Sequence, residues 1–285
     1  MTRGSHPDKT ISLDVINLDG ANSTIANSVG PGIIPFKTNA TAYNKNDRFV
    51  YGVNFPGVFT DDPNNFKKVV QIKSNGEVNE VVDIDNALVA KGYPQLSATN
   101  SASSIYTRIH APSGGVYNNK YYIVLSPVTY GSDFPRDNDY EGYLLKIDLT
   151  TFELESVTEM TYTNFVSGPT GRTGIGGPLF GDIAINGNGQ TYAFDRISEK
   201  MTTIDLSSGQ ITTFGPDYST MAEKFIGGAA MFDIAGNLYM MGANDATTYK
   251  FMDTLYQVDV STGTLTAILT DEQSDIADGA SCTES

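Results

Sequence analysis

One phrase recurs along this chain: an alternating apolar strand, an Asp, a tight polar turn and a second β-rich strand. It reads Leu144-Leu145-Lys146-Ile147-Asp148-Leu149-Thr150-Thr151 in one copy and Met201-Thr202-Thr203-Ile204-Asp205-Leu206-Ser207-Ser208-Gly209-Gln210-Ile211-Thr212 in the next. A third copy is Leu255-Tyr256-Gln257-Val258-Asp259-Val260-Ser261-Thr262-Gly263-Thr264-Leu265-Thr266. Weaker copies align on Ile16 and Ile72, so the register residues are Ile16, Ile72, Ile147, Ile204 and Val258, with steps of 56, 75, 57 and 54 residues. A hairpin repeated at such a period cannot bury its apolar face alone, and with strands in each unit the expected solution is a β-propeller.

The local chemistry supports hairpins. Gly209 and Gly263 can take the positive φ that their neighbours avoid, while Ile204, Ile211, Val258 and Leu265 suit a pleated surface. Asp148, Asp205 and Asp259 are read as turn residues that accept bonds from nearby backbone amides. Upstream of each hairpin lies a small-residue strand and then an aromatic one: Gly181-Asp182-Ile183-Ala184-Ile185 before Gln190-Thr191-Tyr192-Ala193-Phe194, and Gly227-Gly228-Ala229-Ala230 before Leu238-Tyr239-Met240-Met241. Small side chains are what innermost strands need where backbones crowd an axis. Four antiparallel strands per blade follow.

Asp278-Gly279-Ala280-Ser281-Cys282 reads as one more inner strand whose outer partners are missing, while residues 10–29 supply an outer hairpin without an inner strand. Joining the two closes the ring and removes an exposed edge. The count is five blades, or six if the 75-residue step hides a degenerate unit. Residues 7–285 are expected to form a single β-propeller domain, and residues 1–6 (Met1-Thr2-Arg3-Gly4-Ser5-His6) read as a vector-derived tail.

Composition narrows the function classes. With 28 Gly and 12 Pro the turn load is that of an all-β protein. Net charge is −15, from 18 basic and 33 acidic residues, so nucleic acid and anionic membranes are disfavoured partners. No window of about 18 apolar residues exists to cross a membrane. Cys282 is the only cysteine, so no internal disulfide can form.

These phrases, with the closing Ala277-Asp278-Gly279-Ala280-Ser281-Cys282, resemble a family of propeller-like domains of unknown function found in large secreted or cell-surface bacterial proteins, often beside adhesin-type repeats. The resemblance spans most of residues 10–282. It implies extracellular display and binding, and it supplies no catalytic residues.

Candidate sites must come from the residues themselves. Only His6 and His110 are present, which removes a His-rich zinc site, and a Ser-His-Asp triad would need His110 without any Gly-x-Ser-x-Gly elbow. Asp133, Asp137, Asp139 and Glu141, with Asn138, crowd hard oxygen ligands into nine residues and suit Ca²⁺, although the EF-hand spacing is absent; the alternative is a solvated acidic loop. Asp61-Asp62-Pro63-Asn64-Asn65 is a weaker candidate of the same kind.

An alternative calcium position is the axis, where Asn39, Asp182 and Asp278 begin inner strands. Gly227 and Ser104 at two inner positions leave that set incomplete, and amide bonding between blades is the reading adopted for Asp182 and Asp278. Long segments at 54–66, 127–142 and 161–178 are the expected recognition loops, with Tyr130, Phe134, Tyr140 and Tyr143 offering aromatic faces or packing the insertion onto the ring. The favoured function is a non-catalytic, extracellular binding or adhesion module for a glycan or polypeptide, monomeric as excised. The alternative is a calcium-dependent propeller hydrolase or lyase with an axial site.

Overall fold

The computed structural model describes residues 2–4, 11–15, 23–26, 38–54, 68–96, 107–129, 142–164, 178, 180–195, 198–218, 229–242, 254–270 and 276–278. Strands β1 (Thr2–Gly4), β2 (Ile11–Val15) and β3 (Ser23–Ala26) precede the first complete meander, β4 (Thr38–Asn44), β5 (Phe49–Asn54), β6 (Lys68–Ile72) and β7 (Val78–Asp83). Helix α1 (Ile84–Ala90) follows, then β8 (Thr107–Tyr117), β9 (Lys120–Thr129), β10 (Gly142–Asp148) and β11 (Leu154–Tyr162). The chain continues through β12 (Phe180–Ile185), β13 (Thr191–Asp195), β14 (Lys200–Ile204) and β15 (Gln210–Phe214), then β16 (Ala229–Phe232), β17 (Leu238–Gly242), β18 (Thr254–Val258) and β19 (Leu265–Leu269), and ends at β20 (Ile276–Asp278).

Strands β4 to β7 and β16 to β19 form four-stranded antiparallel sheets. The meanders β8 to β11 and β12 to β15 join into one eight-stranded sheet, because β11 runs on past its own meander and pairs in parallel with β15 at Thr161↔Gln210 and Tyr162↔Ile211. Within the long step between Ile72 and Ile147, the described residues hold α1, the 3₁₀ turn Pro94–Leu96 and the β8–β9 hairpin, and no additional sheet.

The first strand of each sheet touches its counterpart in the next: β4 with β8, β8 with β12, β12 with β16, β16 with β20, and β20 with β4. These contacts run from strand to strand and lead back to β4. Side-chain size decides how closely the strands can be drawn together. A Cβ placed on Gly114 would stand 2.6 Å from the carbonyl oxygen of Ala40, and one on Gly115 would stand 2.5 Å from Cδ1 of Ile185. β8 can therefore nest against β4 only with glycine at 114, whereas at 115 the Ile185 side chain would have to give way. Each of β4, β8 and β12 also carries a bulge at the matching place, between Asn39 and Ala42, His110 and Ser113, and Phe180 and Ile183. Ala40 itself has φ 61°, and its carbonyl accepts a bond from the Tyr121 hydroxyl.

The recurring Asp is turn chemistry. Oδ1 of Asp205 accepts from the amides of Ser207 and Ser208 at 2.8 and 3.0 Å, and Oδ1 of Asp259 from those of Ser261 and Thr262 at 2.8 and 3.3 Å. The hydroxyls of Ser207 and Ser261 donate as well, and these bonds hold Asp259 at about 2 and Asp205 below the usual carboxylate range. Asp148 is held lower still, first by Lys120 and then by the amide of Thr150. Gly209 and Gly263 close their turns at φ 71° and 73°. In the copy at Leu144–Thr151 the turn has no glycine, and Phe152 adopts φ 57°, a strained conformation for an aromatic residue, while its ring packs on the buried cluster around Leu149 and Leu154.

Residues Thr2–Gly4, set apart in the sequence as a vector-derived tail, have a structural place. They form the strand between β20 and β2, pairing Thr2 with Asp278 on one side and Leu13 on the other, so the terminal sheet runs β20-β1-β2-β3. Any strand filling that gap contributes backbone bonds that depend little on side-chain identity, so composition gave no sign of it. Deleting residues 1–6 should strip β20 and β2 of their shared partner, lower the urea midpoint by the equivalent of more than ~2 kcal/mol and promote aggregation. An unchanged midpoint would contradict this closure.

Candidate functional site

Successive sheets present the same polarity. The β4–β5 turn lies beside the β8–β9 turn, where the Asn44 amide donates to Asn119 Oδ1 at 2.9 Å, and Gly189 in the β12–β13 turn abuts the Tyr117 ring at the end of β8. Tight turns therefore crowd one face. The connections after β5 (55–67), β9 (130–141) and β17 (243–253) leave the sheets from the opposite strand ends. That second face is the candidate functional site.

Its described floor is polar and partly unsatisfied. Thr38 and Asn54 are cross-strand neighbours where β5 ends; Thr38 Oγ1 and Asn54 Oδ1 are buried with no hydrogen-bond partner among the described residues. At the corresponding end of β13, Asp195 is wholly buried and its Oδ2 accepts from the Tyr162 hydroxyl at 2.8 Å and the Ser198 amide at 3.1 Å. Burial, followed by the nearby Asp195 charge, pushes the Tyr162 hydroxyl well above its ordinary pKa, so it remains a neutral donor. The pair fastens the end of β11 to β13.

Asp182 is 1% exposed on β12; its Oδ1 accepts from the Ile183 amide and its Oδ2 from the Ala230 amide, both at 2.8 Å. The carboxylate thus bonds across to the next inner strand, the role preferred for it in the sequence. The backbones of Asn39, His110 and Asp278 lie on β4, β8 and β20, and their side chains fall outside the described residues. The same holds for all of Tyr130, Asp133, Phe134, Asp137, Asp139, Tyr140 and Glu141, and for 61–65. Tyr143 is placed on β10, 7% exposed, with its ring edge against Tyr93 at 6.4 Å, and so packs in the core. Among the described residues no group of three or more His, Cys, Asp or Glu is arranged to hold a metal ion.

Sequence reasoning overlooked the polar ties between strands. Tyr51, Tyr122, Tyr192 and Tyr239 occupy one repeating position, each facing the residue before the register Ile or Val: Gln71, Lys146, Thr203 and Gln257. The Tyr51 hydroxyl donates to Asp47 at 2.6 Å and accepts from Gln71 at 2.9 Å, and the Tyr239 hydroxyl donates to Asp233 at 3.2 Å. The signal was the Tyr in each aromatic strand, but its partners become visible only once the strands are paired.

This all-β architecture is propeller-like, and the comparisons place it in a family. Residues 3–284 match a model described as a repeat of unknown function (DUF6923), and the chain belongs to that family. No curated protein matches it in sequence. Among solved structures it is similar to the GH43 BlXynB protein from Bacillus licheniformis, at 12% identity and TM-score 0.51 over 81% of this chain and 41% of that one. It is also similar to virginiamycin B lyase from Staphylococcus aureus, at 15% identity and TM-score 0.40 over 92% of this chain and 64% of that one. The chain thus spans under two thirds of the length of either protein. At such identities the likeness concerns the fold alone.

Replacing Asp182 by Ala should orphan the buried Ala230 amide and cost about 1–3 kcal/mol in urea unfolding. Equal stability of the variant would leave the carboxylate free for another role.

Proposed function

We propose that this domain is a non-catalytic binding module of a larger surface or secreted protein, built as five four-stranded blades, the last shared between the chain termini. The long connections on one face form its recognition surface for a glycan or polypeptide. The observation that supports this most is the division of the ring into a face of tight turns and a face of long connections, since loops on a stiff scaffold are where ligand contacts concentrate. The engagement of Asp182 by two backbone amides favours scaffolding over axial catalysis. In this reading Tyr130, Phe134 and Tyr140 provide the aromatic contacts, and Asp133, Asp137, Asp139 and Glu141 order their segment around Ca²⁺.

A glycan and peptide array, run with and without EDTA, tests the proposal. Binding should weaken at least ten-fold when Tyr130, Phe134 and Tyr140 are replaced by Ala. Calcium should raise the melting temperature by binding only the folded loop, and Asp137→Asn with Asp139→Asn should remove that rise. Panels of lactones, esters and glycosides should show no turnover above background. Calcium-dependent turnover lost in Asp182→Ala would overturn the proposal in favour of an axial enzyme.

A further inference from the structure

The tight-turn face holds a groove of about 430 Å³ between the β8–β11 and β12–β15 meanders, within the range of roughly 300–1,000 Å³ common for ligand pockets. Tyr117, Tyr122 and Lys146 line one wall, and Asn188, Asp205 and Ser207 line the other. The groove lies where the repeat departs from its own pattern. In two of the other copies the repeating Tyr is held by an Asp of the preceding turn, Asp47 for Tyr51 and Asp233 for Tyr239, while Tyr192 across the groove follows a turn, Asn186-Gly187-Asn188-Gly189, that also has none. The β8–β9 connection is instead a two-residue turn, Asn118-Asn119 with φ 53° and 58°, and supplies no Asp. Asn119 is already engaged, accepting from Asn44 and donating to Thr150 Oγ1 at 2.8 Å. Tyr122 is 6% exposed, its ring lies in the buried cluster with Ile185 and Ile204, and its hydroxyl has no partner among the described residues. The ring is therefore buried while its hydroxyl meets the groove, open to water or to a ligand group.

The remaining groups define what would satisfy it. Lys146 stands where the other copies have Gln71 and Gln257; it pairs with Glu155 at 2.8 Å and keeps further N–H donors for a ligand. Asp205 directs Oδ1 into its own turn, leaving Oδ2 as an acceptor. Lys146 is balanced by Glu155 and Asp205, so the walls carry no excess positive charge to select a phosphate or carboxylate. Two tyrosine rings supply apolar surface, and the polar groups alternate donors and acceptors. We propose that this groove binds a neutral sugar ring, with its hydroxyls meeting Tyr122, Lys146 and Asp205 and its C–H face on the Tyr117 ring. The site is on the face opposite the long connections and stands or falls separately from the loop-mediated reading above.

The test is an amide-resolved NMR titration of the whole chain with glucose, galactose, mannose and N-acetylglucosamine as methyl glycosides, and with their β-linked disaccharides. At least one should give saturable shifts at Asn188, Gly189 and Ser207. Tyr122→Phe should weaken that binding about three- to ten-fold, the worth of one hydrogen bond, with no loss of melting temperature. Tyr239→Phe should leave the affinity unchanged. No saturable shift in the groove at millimolar sugar, or equal affinity in Tyr122→Phe, would overturn the assignment. Selective binding of acidic sugars lost in Lys146→Gln would also overturn it, replacing a neutral ligand by an anion.

Discussion

The rest of the structure depends on how closely the inner strands approach one another. β8 sits against β4 at a distance that excludes even one methyl group at Gly114, and at Gly115 a methyl group would displace the Ile185 side chain on β12. Asp182 then bridges β12 to β16 through a backbone amide, at 1% exposure, where leaving that amide unpaired would be costly. These contacts are made at matching places in the repeat, so every sheet keeps the same polarity and the ring has one face of turns and one of long connections. The functional proposals rest on that polarity.

Away from the axis, the chain leaving one meander fastens the next. Thr161 and Thr163 donate backbone bonds to Gly209 and Ile211, and Asn164 uses its side-chain amide like a strand, accepting from the Thr213 amide at 2.9 Å and donating to its carbonyl at 3.1 Å. After β15 the chain bends at Gly215, φ 79°, and the Tyr218 hydroxyl donates to the carbonyl of Gly263. After β7, α1 is capped by Asp83 accepting from the Asn86 amide and packs toward β11. Three different solutions close the same kind of gap, which joins neighbouring units more tightly than stacking alone would.

Much of this was legible because it is local. The Asp turns, the glycines at 209 and 263 and the small-residue inner strands follow from residues within one hairpin, and the structure places each accordingly. The strand at Thr2–Gly4 was not legible, since its partners lie at both ends of the chain and its own residues carry no β signal. Phe152 escaped notice because its copy lacks the glycine that marks the others, and the packing of its partly buried ring offsets the strain. The open hydroxyl of Tyr122 follows from the absence of an Asp in a turn two residues long, which has meaning only beside Asp47 and Asp233. The acidic and aromatic residues of 130–141 lie outside the described residues and remain a proposal from sequence.

Replacing Gly114 by Ala tests the central claim through the sign of a single stability change. Gly114 has no positive φ, so its backbone tolerates alanine, and in an uncrowded site the substitution would stabilise the protein by about 0.4–1 kcal/mol through the unfolded chain. With the Ala40 carbonyl 2.6 Å from the new methyl group, the inner strands must shift, and urea unfolding should show a loss of about 1–3 kcal/mol. A gain in stability would contradict the account, because it would mean that the inner strands do not approach closely enough for glycine to be required.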